Sequence, residues 1–422
     1  MPAKPRIIHV VRPDADELRE HIVALTSGLA ERRIEAMVVA SLSRRFREDL
    51  SRHGVRWTNL PIPEDGAARS MGDAAGALRK LVLSAPPVLM HAHGLQAAGI
   101  VLSAMRHGSA APIPLVCSPH GISDTGSAGA MARLRKAGTT RYALTHCDAI
   151  IASSQAEREA LLRLAGRRRS RLDPRTMVVP LGVQRRDKSG LFDVGEKRFR
   201  VGLHRDAAIV AALAPLRESS HIEDLLRAAR TVSADMPNVE FAIIGDGPHI
   251  EHLKQFAHEL GLTGNTIFLG NRPDVLDVVS TCNVLVALTD DAYGIIHALE
   301  ALARDLRVVS ADLPGLREIF AQTETVPLVP LSDRSGLARA ICSQLEGMTS
   351  DEDSIQTESG LTWGVSEALA SQDEYDLDEP GLDPRDRSAQ LGSDVARLLE
   401  HHSVAKMLTR TVRVYNDVLA SV

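Results

Sequence analysis

Short β-branched runs alternate with longer segments whose apolar residues recur every third and fourth position, and this rhythm persists along most of the chain. It demands parallel βαβ units rather than a sandwich of hairpins. In the first half the spacing predicts strands at RIIHVV, EAMVVAS, VLMHAH, PLVCSPH, AIIASS and MVVPLG, separated by helices such as ELREHIVALTSGLAERR and QAEREALLRLAG. A stretch rich in Gly, Lys and Arg between residues 184 and 200 breaks the rhythm and reads as a linker. A second series follows: AAIVAALAPL, EFAIIGDG, TIFLG, VLVALT, RVVSAD and TVPLVPL. The prediction is an α/β chain with two consecutive open sheets, in domains spanning 1–184 and 200–345. A last helical pattern, about 398–422, is expected to cross back onto the first domain. At 422 residues and 44% apolar content the chain can fill a core in each. Ligands of open parallel sheets bind beyond the carboxyl ends of the strands, so a cleft between two facing domains is the expected site.

Charge is unevenly spread. Residues 351–388 hold 12 acidic side chains against two Arg, so the remainder of a chain of net charge −5 carries +5. That acidic stretch lacks a helical or strand period and predicts a mobile surface insertion over 349–390. The opposite bias, in Arg163, Arg167, Arg168, Arg169, Arg171 and Arg175, reads as a solvated helix end or as a patch for anionic lipid. No apolar run reaches the ~18 residues that cross a bilayer. The opening MPAKPRIIHVV is too short and wrongly flanked for a secretory signal, so a cytoplasmic location is expected, with peripheral contact at the inner membrane face. Aromatic content of 3% leaves no stacking platform for nucleic acid. Cys117, Cys147, Cys282 and Cys342 show no paired spacing and read as buried thiols.

Three places carry candidate chemistry. The Gly245-Asp246-Gly247-Pro248 turn follows a buried strand and precedes a helix, whereas neither a dinucleotide GxGxxG nor a P-loop occurs. His91 and His93 stand two apart at a strand end, with His120 at the end of the next strand. Such a trio could hold zinc in a hydrolase, or could be hydrogen-bonded histidines lining a cleft; no carboxylate stands beside them in the sequence. The richest segment runs from Thr289 to Glu300, where a strand ends in Asp290 and Asp291 and a helix is expected to start near Gly294. Amides at such a helix start suit a diphosphate, and Asp291 and Glu300 suit sugar or ribose hydroxyls; an N-capping Asp and a surface Glu are the structural alternative.

This segment, DAYGIIHALEALARDLRVVSADLPGLREIF, resembles the donor-site signature of the family-4 retaining glycosyltransferases: two Glu separated by seven residues, a Gly-x-Pro-Val-Val strand and a Pro-Gly-x-x-Glu turn. Supporting matches are Gly245–Pro248, the strand TIFLGN ending at Asn271, Ser118-Pro119-His120-Gly121, Ser153-Ser154 and Pro180-Leu181-Gly182-Val183. The resemblance implies GT-B architecture, two facing Rossmann-like domains with an interdomain cleft. It implies transfer of a sugar from a nucleotide sugar to a lipid, glycan or small-molecule acceptor, with retention and without a catalytic metal or other cofactor. Bacterial surface polysaccharide assembly is the setting it suggests. Residue by residue, it assigns Glu300 to the donor ribose, Gly294 and Ile295 to the sugar phosphate, Asn271 and Arg272 to the neighbourhood of the base, Gly245 to the donor side, and His120 to the reacting sugar.

The sequence also departs from that pattern. At strict spacing the first Glu falls on Ala292, and Asp291 takes its place only with one extra residue. Asp16-Glu17 stand where the family has a Gly-Gly loop, Leu181 where it has Asn, and Asp305 and Arg307 where it has Gly and Pro. The family's Gly-Arg-Leu run aligns with Ala211-Ala212-Leu213, and its Lys-Gly with either Arg217 or Ser220-His221. A charge-assisted contact contributes ~1.5–3 kcal/mol, so losing one at the diphosphate weakens donor binding by one to two orders of magnitude. The degenerate phosphate site leaves a second expectation open, a catalytically impaired relative that binds a ligand or partner.

Overall fold

The structure is a computed structural model that describes residues 6–11, 18–60, 62, 68–105, 113–121, 140–184, 194–272, 274–356 and 384–421. It divides into two compact units: Met1–Gln184 with Asp290–Ile296 and His402–Val422, and Arg185–Thr289 with His297–His401.

In the first unit seven parallel strands, β1 (Arg6–Val11), β2 (Glu35–Ala40), β3 (Arg56–Asn59), β4 (Leu89–His93), β5 (Leu115–Ser118), β6 (Ala149–Ala152) and β7 (Thr176–Val178), lie in the order β3-β2-β1-β4-β5-β6-β7. Central strands such as β5 and β6 are buried throughout, which is why they read as near-continuous apolar runs rather than alternating ones. The second unit holds six parallel strands, β8 (Ala208–Leu213), β9 (Val239–Ile244), β10 (Thr266–Gly270), β11 (Val284–Ala287), β12 (Arg307–Ala311) and β13 (Leu328–Val329), ordered β10-β9-β8-β11-β12-β13.

Three differences from expectation have physical causes. Strand β3, sequence RWTN, is absent from the predicted set because it is a partly exposed edge strand with almost no apolar content. The linker expected over 184–200 contains a helix at Val194–Arg200. Arg198 holds it by donating from Nε to the Thr281 carbonyl, from Nη1 to the carbonyls of Arg205 and Ala207, and from Nη2 to Asn283 Oδ1, contacts no local pattern reveals. The acidic stretch expected to lack structure over 349–390 is helical at both ends, within Arg334–Gln356 and Pro384–His401, and 357–383 lie outside the described residues.

The last helical pattern is two helices, broken at His402-Ser403, where Ser403 caps Val404–Ala420 by accepting from the Lys406 amide. Met407, Leu408, Val414, Tyr415 and Val418 of that helix complete one core of the first unit with Ile7, Leu25, Leu29, Leu89 and Val116. Each such apolar side chain contributes roughly 1.5–3 kcal/mol when buried.

Candidate functional site

The parallel registers of the first sheet gather histidines. Cα partners His9 and His91 face each other across β1 and β4, and Val11 pairs with His93. Since side chains alternate along a strand, His9, His91 and His93 project to one face. On the next strand Ser118 pairs with His93, and His120 follows two residues later. His21, from the helix Arg19–Glu31, sets its ring edge-on to that of His120, centroids 5.0 Å apart. All five rings are buried. His91 is hydrogen-bonded through Nδ1 to the Tyr415 hydroxyl (2.7 Å) and through Nε2 to Ser118 Oγ (2.8 Å). His93 reaches His9 Nδ1 through Nε2 and His120 Nε2 through Nδ1, both at 3.0 Å.

Burial keeps the rings of His9, His21, His91 and His93 uncharged. It lowers His9 to about 3, helped by His21, and lowers His21 to about 4. His91 and His93 fall well below the usual histidine range, first through burial and then through mutual repulsion with neighbouring imidazoles. Burial also pushes the Tyr415 phenol well above its ordinary value, so it stays an O–H. Sequence reasoning missed His9 and His21, because only strand register and helix docking bring them to His93.

The zinc expectation for His91, His93 and His120 is corrected by this geometry. Both nitrogens of His91 are committed to hydroxyls, and both nitrogens of His93 to other histidines. Among the described residues, trios with ligand atoms within 4.8 Å of one another are His9/His91/His93 and His21/His93/His120 in the first unit, and Glu223/His249/His252 in the second. The first two share His93, whose nitrogens are both spent on other imidazoles, and in the third Glu223 is already paired with Arg227 (2.8 Å) and His252 (2.9 Å).

His120 sits on a bend with a left-handed φ of 56°, and the following residue packs against Asp291: a Cβ placed on Gly121 would lie 2.8 Å from Asp291 Cβ. Both belong to the first unit. The Gly121 amide donates to Glu157 Oε1 (2.6 Å), and Glu157 Oε2 accepts from Ser153 N (2.6 Å) and Ser153 Oγ (2.7 Å). Burial raises the Glu157 carboxyl, Asp291 adds to the rise, and those hydrogen bonds oppose it. Glu157 was not singled out from sequence. The only available signal is the capping-box spacing Ser154-x-x-Glu157, whose Ser154 Oγ accepts from the Glu157 amide at 3.0 Å.

The helix expected near Gly294 begins at Ala292. Asp291 is its N-cap: its Oδ1 accepts from the Gly294 amide (2.9 Å), and its carbonyl accepts from the Ile295 amide (3.0 Å). The two amides assigned to a sugar phosphate are thus satisfied within the chain here, one by a carboxylate standing where an anion would bind.

In the second unit, Glu300 is buried and ion-paired to Arg304 one turn on, while Arg304 Nη1 also donates to the Glu300 carbonyl (2.8 Å). The surface position offered as the structural alternative for Glu300 does not hold, whereas the N-capping Asp of that alternative is Asp291. The remaining donor-side residues gather at the carboxyl edge of β8, β9 and β10. Gly245 has φ 139°, its amide donates to the Gly270 carbonyl (3.0 Å), and a Cβ there would collide with the Ala214 carbonyl oxygen, so only Gly makes this crossing. Asn271 is exposed, and Arg272 is bidentate to Asp274 at 2.9 Å for each contact. Arg217 is half-buried, its carbonyl accepting from both the amide (3.0 Å) and Oγ (2.6 Å) of Ser220. His221 holds a left-handed φ of 55°, the conformation that the Gly of the family's Lys-Gly pair favours. Asp16-Glu17 lie outside the described residues.

The Glycosyltransferase Family 4 model matches residues 18–185, and the Glycosyl transferases group 1 model matches residues 193–357. The phosphatidyl-myo-inositol mannosyltransferase of Mycolicibacterium smegmatis is 33% identical over 126 residues, 29% of this chain and 32% of that protein. The lipopolysaccharide core biosynthesis glycosyltransferase LpsE of Rhizobium meliloti is 27% identical over 149 residues, 35% of this chain and 42% of LpsE. The chain thus spans less than half the length of these curated relatives. The solved structure of Anabaena Alr3699/HepE in complex with UDP and glucose shares the fold, with a TM-score of 0.68 at 17% identity over 98% of this chain and 100% of that one. With one family model on each series of strands and the fold shared along nearly the whole length, the chain belongs to the family-4 glycosyltransferases of GT-B architecture.

Proposed function

We propose that this protein transfers a sugar from a nucleotide-sugar donor to a lipid or glycan acceptor, with retention of configuration and without a catalytic metal. The observation that carries it is the packing of Asp291 against Gly121, next to His120, the residue that the family resemblance assigns to the reacting sugar. A nucleotide-sugar donor is supported by the UDP and glucose bound to Alr3699/HepE. A lipid or glycan acceptor is supported by the phosphatidyl-myo-inositol and lipopolysaccharide substrates that the relatives' names carry.

Arg163, Arg167, Arg168, Arg169, Arg171 and Arg175 are all exposed, and no helix among the described residues is long and apolar enough to cross a membrane. Our proposal includes peripheral contact between this basic run and an anionic membrane surface on the cytoplasmic side.

Two observations favour a second reading, a nucleotide-binding protein without turnover: the Asp291 carboxylate on the Gly294 amide, and the Glu300–Arg304 pair. Titration calorimetry with UDP, GDP and ADP, with Glu300→Gln as control, tests both readings. Micromolar binding of one nucleotide, weakened in the variant, identifies the donor class, and sugar release from the matching nucleotide sugar then separates transferase from binding protein. No binding by any nucleotide at millimolar concentration overturns both.

A further inference from the structure

His9, His93 and His120 form an unbroken line of imidazoles, with His9 Nδ1 3.0 Å from His93 Nε2 and His93 Nδ1 3.0 Å from His120 Nε2. A neutral imidazole carries one N–H and one lone pair, and each contact in the line needs one of each. Because His93 spends both nitrogens, the three tautomers are locked together. Either all three rings carry their proton on Nδ1, or all three carry it on Nε2. His91 imposes no such constraint on its neighbours, since its partners Tyr415 and Ser118 are hydroxyls that donate or accept as required.

The far end of the line distinguishes the two states. His9 Nε2 is buried and has no hydrogen-bond partner among the described residues. With protons on Nε2 throughout, that atom would be a stranded N–H donor. With protons on Nδ1 throughout, it is an unused lone pair. Buried N–H groups go unpaired more rarely than acceptors do. We propose that His9 and His93 are positioning residues that hold His120 in its Nδ1–H tautomer, so that Nδ1 serves as a hydrogen-bond donor to oxygens of the reacting sugar. The role of His120 toward the sugar rests on the transferase proposal above, whereas the tautomer does not. Nothing is transferred along the line: each proton stays on its own ring, and the line fixes which nitrogen holds it.

The test is a long-range proton–nitrogen correlation spectrum of the full chain labelled with nitrogen-15 histidine, the His120 signals being identified by their loss in His120→Asn. The expected wild-type spectrum has His120 protonated at Nδ1 and bare at Nε2. In His93→Phe, His120 should revert to the Nε2–H form. His93→Asn should restore Nδ1–H, because the Asn amide can donate to His120 Nε2 as the lost imidazole did. A wild-type His120 protonated at Nε2, or a His120 unaffected by His93→Phe, overturns the proposal, and the wild-type spectrum decides the first point even if the Phe variant does not fold. These readouts need no donor, so they stand apart from the fate of the transferase proposal. Given turnover, His93→Phe should lower kcat about tenfold, the equivalent of one hydrogen bond, at unchanged KM, and His93→Asn should recover it.

Discussion

The two units bury polar groups on opposite terms. The first collects five buried imidazoles, and burial keeps four of them, His9, His21, His91 and His93, neutral. The second buries a full ion pair, Glu300 with Arg304, where two charges leave water together. Neutral rings remain buried at little electrostatic cost while the pH stays above their ordinary range. A buried ion pair fails badly when one partner is removed. The units should therefore respond to different perturbations.

Removing Arg304 should have the largest single effect. Arg304→Ala strands the Glu300 carboxylate and should cost the second unit about 3–5 kcal/mol, read by urea denaturation. The double variant Glu300→Gln, Arg304→Met should recover most of that. A loss below about 1 kcal/mol in the single variant would mean that the pair is solvated, and the contrast between units would collapse.

Acid should act on the first unit instead. The folded-state values of His9 and His21, about 3 and about 4, lie below the ordinary 6.5. Their full contribution is present above 6.5 and is lost as the pH falls towards 4 and 3, because only the unfolded chain takes up the protons. At about pH 5 each should have cost about 2 kcal/mol. Hydrogen exchange should show amides of β1, β4 and β5 losing protection while β8 and β9 hold theirs; equal loss in both units would contradict the assignment.

Smaller changes sharpen the same contrast. Tyr415→Phe removes the hydroxyl partner of His91 Nδ1 and should destabilise the first unit by about 1–3 kcal/mol. Ser154→Ala removes the cap of the helix Gln155–Ala165 and should cost about 1 kcal/mol by thermal melting. Because that helix presents Glu157 to the Gly121 amide, the same variant should also loosen the His120 bend, seen as faster exchange at Gly121.

What could be read without coordinates followed local chemistry. Strands buried on both faces announce themselves as apolar runs, and Gly245 marks a turn where a Cβ would strike Ala214. Asp291 is legible as a possible cap because capping depends on neighbours a few residues away. The same locality explains the errors: β3 has too little apolar content to stand out, and Val194–Arg200 is held by Arg198 reaching residues up to 85 positions away.

The sequence by itself determined the number of sheets, their parallel sense and the family, since period, turn chemistry and motif spacing all act over short stretches of chain. Only the tertiary structure decided what the polar residues do. His9 and His93 lie 84 positions apart, and His91 and Tyr415 lie 324 apart. Whether a histidine is a metal ligand, a charge or a neutral link depends on which atoms face its two nitrogens and on how much water reaches them. Both are set by strand register and by the docking of a distant helix, and neither is encoded within reach of the residue itself.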